Sequence, residues 1–182
     1  MPIVMVTGGA RSGKSSFAEN YCKDTGDKVT YIACAIITDD EMAKRIEKHK
    51  EQRPTEWATI EQYKGLGNVI NEVDNRVFML DCITTMITNL MFDYDLDYDT
   101  CSEDEIQLLE DNIKSEIVDL LSSFKQSEKL LVLVANEVGL GLVPEYRLGR
   151  IFRDIAGRMN QCIAQAADEV FFIASGLPIR LK

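Results

Sequence analysis

Gly8-Gly9-Ala10-Arg11-Ser12-Gly13-Lys14-Ser15 satisfies the pattern G-x-x-x-x-G-K-[ST] at every defined position, and the pattern carries meaning only between a strand and a helix. The flanking residues meet that condition. Ile3–Thr7 is an aliphatic run suited to a buried strand, and Ser15–Cys22 reads as a helix start, with Phe17, Ala18 and Tyr21 able to face a sheet. In such a setting glycines let main-chain N–H groups close around phosphate oxygens, and the helix N-terminus adds partial positive charge at the same place. Lys14 is expected to reach the β- and γ-phosphates, and Ser15 to place its hydroxyl on Mg²⁺. The stretch predicts a P-loop that binds a purine nucleoside triphosphate with Mg²⁺.

Four further apolar runs repeat along the chain: Val29–Ala33, Val77–Asp81, Leu130–Ala135 and Val170–Ala174. With Ile3–Thr7 they read as strands buried on both faces. A helix before the fourth strand is announced by Ser102 and Glu105, spaced as a capping box, and is carried by Ile106, Leu109, Ile113, Ile117 and Leu120 on one face. Pro144 is expected in the first turn of another helix, whose inward stripe is Leu148, Ile151, Ile155, Met159 and Cys162. The acidic stretch Asp93–Asp104 has no periodicity and is expected as an exposed loop. Strands alternating with helices predict an α/β fold with a mostly parallel sheet and helices on both faces. With the P-loop this is a three-layer P-loop NTPase fold with a RecA-like core. At 182 residues and 46% apolar composition, one domain over 1–182 is expected.

Thirty acidic residues against twenty basic ones give a formal charge of −10, which repels nucleic acid and anionic membranes. No nucleic-acid partner is expected. The five cysteines (Cys22, Cys34, Cys82, Cys101, Cys162) form no C-x-x-C pair, so neither a zinc site nor a disulfide framework is suggested, a usage that suits a reducing cytosol. The N-terminus has no basic leader, and no stretch approaches the roughly 18 apolar residues of a spanning helix. These features predict a soluble, cytoplasmic protein.

Two further residues are candidates for chemistry. Asp81 follows a buried strand, where an acidic residue can serve as the second Mg²⁺ ligand beside Ser15; capping the next helix is the other reading of the same position. His49 is the chain's one histidine, in Asp39–Gln52, a segment that reads as helical with Met42, Ile46 and His49 along one face. Pro54 ends that helix. Such a histidine is commonly a packing residue. If its face opens on the P-loop, a neutral imidazole can attack phosphorus, with Lys50 and Arg53 holding phosphate oxygens. Arg147, Arg150 and Arg153 recur at three-residue spacing and could meet phosphate, a neighbouring subunit or solvent.

Several blocks together resemble a known family, the bifunctional adenosylcobinamide kinase/adenosylcobinamide-phosphate guanylyltransferases of cobalamin biosynthesis. They are VTGGARSGKSSFAE from Val6, YIACA from Tyr31, DDEMAKRIEKHKEQRP from Asp39, LDCITTMITNL from Leu80, NEVGLGLVPEYRLGRIFRDIAGRMNQ from Asn136, and the closing SGLPIRLK from Ser175. The likeness spans nearly the whole chain. It implies two successive reactions: phosphorylation of the aminopropanol hydroxyl of adenosylcobinamide by ATP or GTP, then transfer of GMP from GTP through an enzyme guanylyl-histidine to give adenosylcobinamide-GDP. His49 matches the guanylylated histidine. The implied nucleotide contacts are Gly8, Gly9, Ala10, Arg11, Ser12, Gly13, Lys14 and Ser15, with Ala33, Cys34, Ala35, Lys50, Glu51, Gln52, Arg53, Glu61 and Asp81. The catalytic set is His49, Lys14 and Asp81, with Ser15 and Asp81 on the metal. A homotrimer, with the corrinoid near a subunit boundary, is also implied. The chain departs from the family in having Lys48 where a second histidine is frequent, Asp81 where glutamate is common, and Cys34 where threonine is frequent.

Attack on the γ-phosphorus and attack on the α-phosphorus cannot share one fixed nucleotide pose, so the His49 segment is expected to shift about Thr38–Glu41, or the nucleotide to bind in two registers. Other readings are a different P-loop kinase of a small metabolite, with His49 structural, and a nucleotide-binding module that assembles on DNA, against which the charge argues. A signalling GTPase is disfavoured because Asn136-Glu137-Val138-Gly139 does not supply an N-K-x-D signature.

Overall fold

Residues 2–36 and 54–182 are described by a computed structural model of the chain. The expected strands form, as β1 (Ile3–Gly8), β2 (Val29–Ala33), β4 (Val77–Asp81), β5 (Leu130–Asn136) and β6 (Glu169–Ala174). Two further strands join them, β3 (Ala58–Glu61) and β7 (Leu177–Arg180). The seven make one sheet in the order β3-β2-β4-β5-β1-β6-β7, with β7 antiparallel to β6 and every other pair parallel.

Because side chains alternate across a strand, each central strand divides its residues between two cores. Val4, Val6, Val29, Tyr31, Val77, Met79, Val132 and Val134 face α1 (Lys14–Lys23), which contributes Ala18 and Cys22. Ile3, Met5, Ile32, Phe78, Leu80, Leu131 and Leu133 face α2 (Ile83–Phe92), α3 (Glu103–Lys125) and α4 (Arg147–Ala166). These are the three layers expected from the sequence. On the second face Phe78 and Phe124 meet edge-on, with ring centroids 5.1 Å apart.

The capping box starts α3 as expected: Ser102 Oγ accepts from Glu105 N at 3.3 Å, and a Glu105 carboxylate oxygen accepts from Ser102 N at 2.8 Å. Two expectations are corrected. Pro144 is not in the first turn of a helix, because α4 begins at Arg147. Pro144 instead lies against that turn, so close that a Cβ on Gly149 would sit 2.8 Å from it, and its carbonyl accepts from Arg150 at 3.0 Å. Asp93–Asp104 is not uniformly exposed. Tyr98 and Cys101 are each 8% exposed and belong to the core, with the Tyr98 hydroxyl donating to the Met91 carbonyl at 2.6 Å. Arg147 clasps the same stretch, donating to the Tyr98 and Cys101 carbonyls at 2.9 and 2.8 Å.

β7 carries Pro178 and is exposed throughout, as suits an edge strand whose outer N–H row needs no partner. It is joined to β6 by Ser175 and Gly176, whose φ values of 51° and 81° are of the sign that tight hairpin turns require. Among the described residues no helix is long and apolar enough to cross a membrane.

Candidate functional site

The carboxyl ends of the parallel strands gather the chemistry-bearing residues along one edge, where ligands bind in open α/β sheets. β1 ends at Gly8, β5 at Asn136, β4 at Asp81, β2 at Ala33 and β3 at Glu61. Register fixes their order: Gly8 lies opposite Asn136, Asp81 opposite Val134, and Ala33 opposite both Asp81 and Glu61. The P-loop strand β1 and the Asp81 strand β4 are separated by β5, so the gap between them is two strand spacings, about 10 Å.

The loop itself is shaped by close approach to β6 and β7. A Cβ on Gly8 would fall 2.6 Å from the Ile173 carbonyl oxygen and 2.7 Å from Ser12 Oγ, so only glycine fits without movement. Arg11 and Gly13 take positive φ values of 56° and 93°, a region glycine enters freely and other residues enter at a cost. The Ser12 carbonyl accepts from Gly176 N at 2.8 Å, which ties the loop to the β6–β7 turn. α1 then starts at Lys14 with no side chain capping it, and its first N–H groups are left for an anion.

Ser12 Oγ and Thr7 Oγ1 are the buried side-chain oxygens that lack a hydrogen-bond partner among the described residues. Buried hydroxyls are rarely left so; Thr7 shares the strand face of Ile3 and Met5, away from the loop, whereas Ser12 lies in the loop itself, where a phosphate oxygen can accept from its hydroxyl. With the glycine cradle this is the structural test of fit for a triphosphate, and the residues pass it.

Lys14 is 8% exposed, and its Nζ donates to the Gly9 carbonyl at 3.1 Å. Burial lowers its pKa below the ordinary lysine value, and the charges of Cys82 and then Asp81 oppose that shift. Asp81 is half-buried, and one carboxylate oxygen accepts from the Tyr31 hydroxyl at 3.1 Å. Among the described residues no group of three or more His, Cys, Asp or Glu is arranged to hold a metal.

The structure therefore brings Gly8–Ser15 and Asp81 together, with Ala33 and Glu61 further along the same edge. Cys34 is 1% exposed, and its thiol belongs to the core on the α2–α4 face. Burial pushes that thiol well above the usual thiol range, and neighbouring Cys82 and Asp81 add to the shift. Its carbonyl accepts from Asn89 Nδ2 at 2.5 Å. Ala35 is half-buried. His49, Lys50, Glu51, Gln52, Arg53 and Thr38–Glu41 lie outside the described residues, in 37–53. Arg147, Arg150 and Arg153 are engaged locally: Arg150 donates to the Pro144 and Glu145 carbonyls, and Arg153 pairs with Asp154 at 3.4 Å. Tyr31 and Asn136 reach the site without having been expected there. Only their positions at or near the ends of strands adjoining Asp81 could have signalled them.

A family model described as "Cobinamide kinase / cobinamide phosphate guanyltransferase" matches residues 4–181. The chain is 48% identical over 182 residues to "Bifunctional adenosylcobalamin biosynthesis protein CobU" of Escherichia coli (strain K12), covering 99% of each. It is 36% identical over 180 residues to "Bifunctional adenosylcobalamin biosynthesis protein CobP" of Pseudomonas aeruginosa, covering 98% of this chain and 96% of that protein. Among solved structures, the flagellar accessory protein FlaH from Methanocaldococcus jannaschii superposes with a TM-score of 0.52 at 17% identity, over 100% of this chain and 78% of that one, a likeness of fold alone. With a P-loop at the sheet's carboxyl edge and a match running from Val4 to Leu181, this chain belongs to the cobinamide kinase/cobinamide phosphate guanyltransferase family.

Proposed function

We propose that the protein catalyses two steps on one corrinoid: phosphorylation of the aminopropanol hydroxyl of adenosylcobinamide by ATP or GTP, then transfer of GMP from GTP to the new phosphate, giving adenosylcobinamide-GDP. The observation that carries this is the glycine-shaped cradle with its unpartnered Ser12 hydroxyl and buried Lys14, in a chain so similar to bifunctional relatives.

In the first step the P-loop N–H groups and Lys14 hold the phosphates, and the substrate hydroxyl attacks the γ-phosphorus, loses its proton and releases the nucleoside diphosphate. Ser15 and Asp81 are the residues that would hold Mg²⁺, which neutralises charge on the phosphates. In the second step an imidazole nitrogen of His49 attacks the α-phosphorus of GTP and pyrophosphate leaves. The corrinoid phosphate then takes the GMP and frees the histidine. Lys50, Glu51, Gln52, Arg53, Ala33, Cys34, Ala35 and Glu61 complete the nucleotide contacts in this reading, with Cys34 acting through its main chain. The active assembly is a homotrimer in the cytoplasm, and nucleic acid is not a partner.

The test is product analysis with adenosylcobinamide and GTP. Wild type yields the phosphate and then the GDP adduct, His49→Ala stops at the phosphate, and Lys14→Ala forms neither. Formation of the GDP adduct by His49→Ala would refute the histidine carrier.

A further inference from the structure

Asn136 ends β5, the strand that lies between the P-loop strand and the Asp81 strand. It is opposite Gly8 in register, and two residues beyond Val134, which is opposite Asp81. On β5 the residues facing α1 are Leu130, Val132 and Val134; the two-residue period of a strand continues that set to Asn136. Gly8 and Asp81 have the same parity on their own strands, following Val6 and Met79. The carboxamide therefore stands on the phosphate-binding face, between Lys14 on one side and Asp81 on the other.

Its main chain is fixed. Asn136 N donates to Thr84 Oγ1 at 2.8 Å, its carbonyl accepts from Asn160 Nδ2 at 3.2 Å, and the next amide, Glu137 N, donates to the Gly8 carbonyl at 3.0 Å. The side chain has far less. Nδ2 lies 3.9 Å from Cys82 Sγ, a long approach to a weak acceptor. A rigid main chain thus presents a half-buried amide whose donors are hardly used.

The γ end of a triphosphate occupies the space between a P-loop lysine and the acidic residue across from it. We propose that Asn136 Nδ2 donates to a γ-phosphate oxygen there, so that Asn136 distinguishes a triphosphate from a diphosphate and steadies the group being transferred. This rests on the nucleotide reading above.

Titration calorimetry with GTP, as its α,β-methylene analogue that cannot pass GMP to His49, and with GDP, each with Mg²⁺, tests it on wild type, Asn136→Ala and Asn136→Asp. Loss of one hydrogen bond to a charged group predicts roughly tenfold or weaker GTP binding by Asn136→Ala, with GDP within about twofold of wild type. Asn136→Asp weakens GTP further, because its carboxylate faces the γ-phosphate. Both variants keep the main-chain bonds and should melt close to wild type. Equal losses on GTP and GDP, or no loss on GTP, overturn the inference while leaving the nucleotide site standing. A wild type that binds neither nucleotide overturns both.

Discussion

Replacing Gly8 by alanine puts a methyl group where the structure has no room for one. The new Cβ would fall 2.6 Å from the Ile173 carbonyl oxygen, a main-chain atom of β6, and 2.7 Å from Ser12 Oγ. Ser12 can rotate, but the Ile173 carbonyl is held between paired strands, so β1 and β6 must part or the P-loop must rise. Overpacking of this kind costs about 1–3 kcal/mol. For a chain of this length each kcal/mol is worth about 2–4 °C, so Tm should fall by about 2–12 °C. Gly9→Ala is the control: no atom lies within 4 Å of its Cβ and its φ is ordinary, so its stability should stay within about 0.5 kcal/mol of wild type. Thermal melting of both variants without nucleotide reads the difference directly. If Gly8→Ala melts like wild type, contact with β6 does not shape the loop.

Other substitutions probe the surrounding frame. Ser102→Ala removes the Ser102 half of the capping box of α3 and should cost about 1 kcal/mol by chemical denaturation; an unchanged midpoint would mean that the cap is idle. Arg158 makes a two-pronged bond to Glu110, whose side chain is 11% exposed, with Nη2 to Oε2 at 2.7 Å. Arg158→Ala leaves that carboxylate inside the α3–α4 interface and should cost about 1.5–3 kcal/mol, measured by urea unfolding at neutral pH. Lys14 has a folded-state pKa below its unfolded value near 10.5 because of burial, so the unfolded chain binds more protons in the interval between the two. Its penalty on the empty protein is full below the folded pKa and fades as pH rises toward 10.5. Without nucleotide, Lys14→Met should therefore gain most in Tm over wild type near pH 7, with the gain narrowing toward pH 10; a widening gain would contradict this sign.

What could be read in the chain and what could not divides along physical lines. The P-loop was legible because phosphate chemistry dictates its residues, and the five central strands because burial on both faces demands unbroken apolar runs. β3 and β7 carry no such demand: Ala58–Glu61 and Leu177–Arg180 are largely exposed, although Ile60 packs against the core and Arg180 pairs with Glu169. Pro144 misled because a proline set against the first turn of a helix looks, in sequence, like one inside it. Tyr98 and Cys101 are buried by contact with α2 and the Arg147 clasp, which acidic neighbours conceal. Asn136 was invisible as a site residue because its place depends on strand order, and strand order is a property of the whole sheet. Cys34 was assigned to the nucleotide by resemblance; its thiol belongs to the other face of the sheet.

The two-step account depends on one covalent species. Wild type incubated with GTP labelled at the α-phosphate, then run on a denaturing gel, should carry a label that acid removes and alkali does not, and His49→Ala should carry none. Wild type that makes adenosylcobinamide-GDP without ever becoming labelled would contradict the account.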